Sequence, residues 1–151
     1  MTATERMDAA GRGERPIEDY GLIGDTRTAA LVGFNGAIDW MCLPRFDGSP
    51  VFGCLVGGSA AGTFRLGSSG QATVIGRRYR PGTASLETTW RTERGQLMLN
   101  EGMIAEVTGA LLPSTLLVRR LTAQGGRGRG RHRFRPPPRR TTPPATHSAP
   151  R

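Results

Sequence analysis

The chain has 151 residues, a formal net charge of +9 and a mean hydropathy of -0.37, a length that predicts a single domain. The charge is unevenly placed: residues 125–151 hold eight Arg and no acid, whereas residues 1–124 hold 13 Arg and all 12 acidic residues. The body is therefore near neutral, which confines any electrostatic argument for a nucleic-acid partner to the tail. All 21 basic residues are Arg and none is Lys, a bias that fits a GC-rich coding sequence.

The opening residues 1–16, MTATERMDAAGRGERP, scatter charges and contain no apolar run. They predict a disordered leader, with neither a signal peptide nor a membrane anchor. Cytoplasmic location is the default expectation. Cys42 and Cys54 are too few for a disulfide framework and are expected as reduced interior thiols. From Thr28 to Pro44 two apolar runs, TAALVG and AIDWMCL, flank Asn35 and Gly36. Asn-Gly tolerates the positive φ of a tight hairpin turn, so the runs are expected to pair antiparallel. VFGCLVGG then has the length of one helical turn before the Gly57-Gly58 break, and TFRLG and ATVIGRRYR read as short strands. In the next run Leu86, Thr88 and Trp90 share one face and Glu87, Thr89 and Arg91 the other. Glu93-Arg94-Gly95 supplies a turn, GQLMLNEGMIA returns as the partner strand, and STLLVRRLTA has the content of a buried strand, a helix remaining open. Short strands at this spacing predict an all-β fold, an antiparallel β-sandwich, over residues 17–124.

At Gly125 the sequence changes character. Residues 125–151 contain no Val, Ile, Leu or Met, so they are expected to form a disordered Arg/Gly/Pro-rich tail outside the core. Three origins stay open. A Glu-Val-Glu-Val strand encoded GAG GTC GAG GTC reads as Gly-Arg-Gly-Arg two nucleotides late, which makes the tail the product of a shifted frame. It is otherwise an unrelated extension, or an arginine-rich arm for nucleic acid, for which the single Phe134 offers little base stacking.

Three runs carry a resemblance to a known family: IEDYGLIGDTRTAALV from Ile17 to Val32, NGAIDWMCLPRFD from Asn35 to Asp47, and RRYRPGTASLETTW from Arg77 to Trp90. A weaker fourth, LNEGMIAEVTGALLPSTLLVRRL, ends near Leu121. In this order they resemble the N-terminal, trehalase-like domain of bacterial glycoside hydrolase family 15, the glucoamylase and trehalase-like enzymes. The resemblance implies a β-sandwich that precedes a much larger helical barrel, with both catalytic carboxylates on the barrel. It implies a truncated domain, cut short after roughly half of the sandwich, with a sheet edge left unpaired and poor solubility in isolation. The complete enzyme would act in carbohydrate metabolism, releasing glucose with inversion from trehalose or a malto-oligosaccharide, and the barrel would be this domain's partner. The fragment alone is expected to be inactive. A small sugar-binding or docking module is the rival reading, beside the nucleic-acid arm.

Glycoside hydrolysis needs two carboxyl groups across the scissile bond. The acids of the body are Glu18, Asp19, Asp25, Asp39, Asp47, Glu87, Glu93, Glu101 and Glu106, and none matches the family's catalytic glutamates. For Asp19, Asp25 and Asp39 the expectation is turn formation, capping or pairing with Arg27 and Arg45. The run Trp40 to Asp47 combines Trp40, Arg45 and Asp47, residue types that stack on and hydrogen-bond a sugar, and in a family member it would wall the substrate entrance. The alternative places Trp40 in the core and Arg45 and Asp47 on loop ties. His132 and His147 lie in the tail and the two cysteines have no histidine between them, so no zinc spacing exists. Gly57-Gly58 to Gly62 lacks the Lys and Ser/Thr of a phosphate loop, and no cofactor or metal is expected.

Overall fold

The computed structural model describes residues 15–106, 114–125 and 130–136. Within them the chain is an all-β sandwich of two antiparallel sheets. The first sheet runs β1 (Tyr20–Gly24), β2 (Ala29–Gly33), β3 (Ala37–Cys42), β5 (Thr63–Ser68) and β10 (Gly130–Arg135), and β4 (Pro50–Phe52) lies beside the C-terminal half of β3. The second runs β6 (Ala72–Tyr79), β7 (Leu86–Thr92), β8 (Gly95–Glu106) and β9 (Ser114–Gln124). A 3-10 turn at Ile17–Asp19 precedes β1, and one helical turn, α1 (Cys54–Gly57), follows β4 and stops at Gly58, whose φ is +65°.

The hairpin around Asn35 forms as its sequence predicts, with a different division of labour. Only Gly36 adopts positive φ, +70°, while the Asn35 side chain accepts the Ala37 amide at 3.0 Å and the Gly36 amide reaches Gly33 O at 2.9 Å. That is a three-residue loop with glycine in the left-handed position. A Cβ on Gly36 would sit 2.1 Å from Leu66 O, so the neighbouring strand β5 also requires glycine here. Between Leu31 and Val32 the register with β3 slips, because Val32 faces Ile38 and Leu31 faces Trp40. Asp39 is the extra residue of this bulge.

Alternation in β7 is borne out: Leu86, Thr88 and Trp90 are buried, and Trp90 Nε1 donates to Phe34 O at 2.8 Å, joining the two sheets. The core lies between the sheets. Ile23, Val32, Ile38 and Met41 of the first sheet meet Leu86 and Met103 of the second, and a second cluster gathers Trp90, Leu97 and Leu99. Fully burying each such side chain contributes about 1.5–3 kcal/mol.

Two strands depart from the sequence reading. STLLVRRLTA is a strand, β9, but not a buried one: Leu116 and Val118 are exposed, while Leu117 and Leu121 pack on the core and Arg119 turns inward. In a two-layer sandwich each strand packs by one face, and the outward face of β9 carries Leu116 and Val118 beside Arg120. The second departure is β10, which lies beyond the expected limit at Gly125. It pairs with β5 in antiparallel register, and Phe134 stands edge-on to both Phe52 and Phe64, with ring centroids 5.7 and 5.8 Å apart. Main-chain pairing to an available edge plus one aromatic residue offsets the lack of aliphatic side chains. Residues 1–14, 126–129 and 137–151, which hold most of the expected leader and tail, lie outside the described residues.

Candidate functional site

One end of the sandwich gathers the turn between β1 and β2 and the loop after β3. Asp25 organises the turn: its Oδ1 accepts the amides of Arg27 and Thr28 at 3.0 and 2.9 Å, and its Oδ2 accepts the Thr115 hydroxyl at 2.6 Å, tying the turn to β9. Burial pushes the Asp25 carboxyl up, but these hydrogen bonds outweigh it and hold the group below its ordinary value. Thr26 takes the positive φ, +72°, that the tight reversal needs. The Thr28 hydroxyl donates to Cys42 O, and the Phe46 amide to Arg27 O, so the loop from Leu43 to Ser49 is fastened at its base.

On that loop Arg45 Nε donates to Asp47 Oδ1 at 3.0 Å and Arg45 Nη2 to Asp47 Oδ2 at 3.4 Å. Both side chains are well exposed, as are Phe46 and, at its margin, Leu43. Arg45 and Asp47 are thus brought together, but Trp40 is not part of their loop. It lies within β3, half-buried, opposite Leu31. The tryptophan that fills the core is Trp90, not Trp40.

Asp39 and Glu87 also have structural partners. Asp39, at the bulge, accepts the Tyr20 hydroxyl at 3.0 Å and the Thr63 hydroxyl at 2.9 Å. Burial, then the adjacent Asp39 charge and its hydrogen bond, push the Tyr20 phenol well above its ordinary range. Glu87 pairs with Arg78 at 2.9 Å. Asp25 takes the turn-capping role, with the Arg27 main chain among its donors, Asp39 accepts two hydroxyls, and Arg45 pairs with Asp47. Among the described residues no group of three or more His, Cys, Asp or Glu is placed to hold a metal ion, and no helix is long and apolar enough to cross a membrane.

Sequence reasoning missed the most polar feature of the interior. Glu101, on β8, is fully buried and its Oε1 accepts Arg119 Nε at 2.6 Å. Arg119 continues across the sandwich, donating from Nη1 to Phe64 O at 2.8 Å and from Nη2 to Gly36 O at 2.6 Å. Arg77 on β6 crosses in the same way, to Asp19 O at 2.8 Å and to Val32 O. Each guanidinium stacks on a phenylalanine, Arg77 on Phe34 and Arg119 on Phe64. Gly21 leaves room for Arg77, since a Cβ there would lie 2.7 Å from its Nη2. Burial pushes the Glu101 carboxyl up, and the charges of Arg119 and Arg77 pull it back only in part. The signal was present in the alternation of β8, where Glu101 falls on the face of Leu97, Leu99 and Met103 and therefore needs a buried cation. Which of Arg119 and Arg120 supplies it depends on the register of β9.

The chain is similar to curated trehalases. It is 42% identical to the trehalase of Mycolicibacterium smegmatis over 89 residues, which is 59% of this chain and 13% of that protein. It is 40% identical to the trehalase of Mycobacterium tuberculosis over 89 residues, again 59% and 13% of the two chains. The trehalase of Thermoplasma volcanium is 33% identical over 92 residues, 61% of this chain and 15% of that one. The chain thus spans only about an eighth to a seventh of the length of these relatives. No solved structure matches it. The family described as trehalase-like, N-terminal, matches residues 4–138, which include every described strand, and the chain belongs to that family.

Proposed function

We propose that this chain is the non-catalytic N-terminal portion of an α-glucoside hydrolase of glycoside hydrolase family 15, with trehalose or a glucan as the substrate of the complete enzyme. The observation that carries this reading is the family match together with the small share of each trehalase that the chain covers. The internal chemistry supports it. Asp25, Asp39, Asp47, Glu87 and Glu101 are committed to hydroxyls, amides or arginines, whereas hydrolysis needs two carboxyl groups free to face one glycosidic bond. The catalytic helical barrel is then the partner, and the fastened loop carrying Arg45, Asp47 and Phe46 is the part that meets it at the substrate entrance. Trp40 contributes from the adjoining strand. A cytoplasmic site of action belongs to the same reading.

The test is a chimera in which residues 17–106 replace the matching segment of a mycobacterial trehalase. The chimera is expected to release glucose from trehalose, and the 151-residue chain alone to release none from trehalose or maltose. A folded chimera without activity, or turnover by the chain alone, would overturn the proposal. Arg45→Ala in the chimera is expected to raise KM for trehalose with thermal stability unchanged. Unchanged KM with lowered stability would leave the loop a structural role only.

A further inference from the structure

At the end of the sandwich remote from the Arg45 loop, the β5–β6 turn and the β7–β8 turn stand apart and enclose a cleft of about 330 Å³. We propose that this cleft is a saccharide subsite that takes an uncharged glucose-containing mono- or disaccharide. Its volume lies at the lower end of the roughly 300–1,000 Å³ that small-ligand sites occupy. Ser68, Gly70 and Gln71 line it from one turn, Thr92, Glu93 and Arg94 from the other, and the buried Leu97 forms the floor.

The lining fits a neutral polyol better than an ion. Glu93 and Arg94 bring opposite charges to the same wall, so the cleft has no net charge to hold a phosphate or a cation. Among the described residues, the side chains of Gln71, Glu93 and Arg94 are engaged in no hydrogen bond or ion pair. Together they present an amide that both donates and accepts, a carboxylate that accepts and a guanidinium that donates, the complement of vicinal hydroxyls. Leu97 closes the floor from beneath and is itself buried, so recognition rests on the polar groups of the two rims. The rims are held open by their own bonds: the Ser68 hydroxyl accepts the Gly70 amide at 3.2 Å, and the Thr92 hydroxyl donates to Gly95 O at 2.9 Å and accepts the Arg94 amide at 3.3 Å. The backbone of the rims is therefore preformed, while the side chains of Gln71, Glu93 and Arg94 are ordered on binding. With no aromatic wall, affinity is expected in the millimolar range.

The choice of glucose as the sugar rests on the reading of the chain as part of an α-glucoside hydrolase; the cleft itself does not. The test is an NMR titration of the 151-residue chain with trehalose and with maltose, and with glycerol as a control. Saturable shifts of the amides of residues 68–71 and 92–94 are expected with a disaccharide and not with glycerol. Gly70→Trp places a ring at the mouth of the cleft. A Cβ there meets no atom within 4 Å and the backbone is not left-handed, so the variant is expected to fold and to bind at least tenfold more weakly. Gln71→Ala with Glu93→Ala is expected to weaken binding by a similar factor. The proposal is overturned by the absence of saturable shifts with either disaccharide, by equal shifts with glycerol, or by binding that survives both variants. An active chimera without binding in the cleft sinks this inference alone; binding in the cleft beside an inactive chimera sinks the reading of the domain's role.

Discussion

Arg119→Met removes one of the two arginines that cross between the sheets, and its cost can be built from the bonds lost. The substitution strips Glu101 Oε1 of its partner inside the sandwich, where the Glu101 side chain has no exposure, and takes donors from Phe64 O and Gly36 O. Removing one member of a buried ion pair costs about 3–5 kcal/mol, because the Glu101 charge stays behind with only the charge of Arg77 to offset its burial. Replacing both members, Glu101→Leu with Arg119→Met, removes that stranded charge. Gly36 O still accepts the Leu66 amide at 2.9 Å and Phe64 O stays in the ladder opposite Ile38, so the residual loss is the second, charge-assisted bond at each carbonyl, about 1–2 kcal/mol in all. The double variant is therefore expected to be more stable than the single one, by about 2 kcal/mol. Urea denaturation followed by far-UV circular dichroism gives both numbers from the midpoint and slope. Since domains of this size have only about 5–15 kcal/mol in total, the single variant is expected to unfold at very low urea. A single variant within 1 kcal/mol of the parent, or a double variant no more stable than the single, would refute the reasoning.

Three further outcomes follow from the geometry. Asp25 has a carboxyl held below its ordinary 3.8 in the folded chain, so its stabilisation is complete above that pH and is lost as pH falls through the folded-state value. The difference in Tm between the parent and Asp25→Asn should be largest at neutral pH and shrink below pH 4, and a constant difference down to pH 2 would contradict this. Gly36→Ala combines positive φ with a Cβ 2.1 Å from Leu66 O and should lower stability by about 2 kcal/mol or more, whereas Gly70→Ala, with open space around its Cβ, should change it by less than about 0.5. Equal denaturation midpoints for the two would argue against the hairpin geometry. Burial pushes both thiols up, Cys42 being buried and Cys54 half-buried, so a disulfide reagent at pH 8 should modify Cys54 slowly and Cys42 only after denaturant is added. Mass spectrometry of the modified peptides decides the order.

The sequence displays what local patterns encode. Leu86, Thr88 and Trp90 alternate with polar residues, and that period places them in the core without knowledge of any neighbour. The Asn35-Gly36 hairpin and the break after Gly57 are legible for the same reason, since turn chemistry is local. Features that arise from pairing between distant strands are not. Arg119 and Arg120 are adjacent and chemically alike, and only the register of β9 on β8, with Arg119 opposite Glu101, turns one inward. Trp40 looks like a core residue from composition, but the bulge at Asp39 sets it opposite Leu31 on the outer side of the sheet. β10 has a single large apolar residue among its arginines, so no hydrophobic period announces it; it forms because β5 offers an edge. The cleft near Leu97 is composed of two turns that are 20 or more residues apart, each ordinary by itself.

At the free side of β1, the Tyr79 hydroxyl donates to Leu22 O and accepts the Leu22 amide, both at 2.9 Å. These are the two main-chain groups through which an incoming strand would have to dock at the middle of β1. A single phenol carried by the opposite sheet thus acts as a plug against strand addition. Tyr79→Phe would leave the fold's side chains in place yet reopen that edge, and the change would register as self-association on storage rather than as a lost contact in the core.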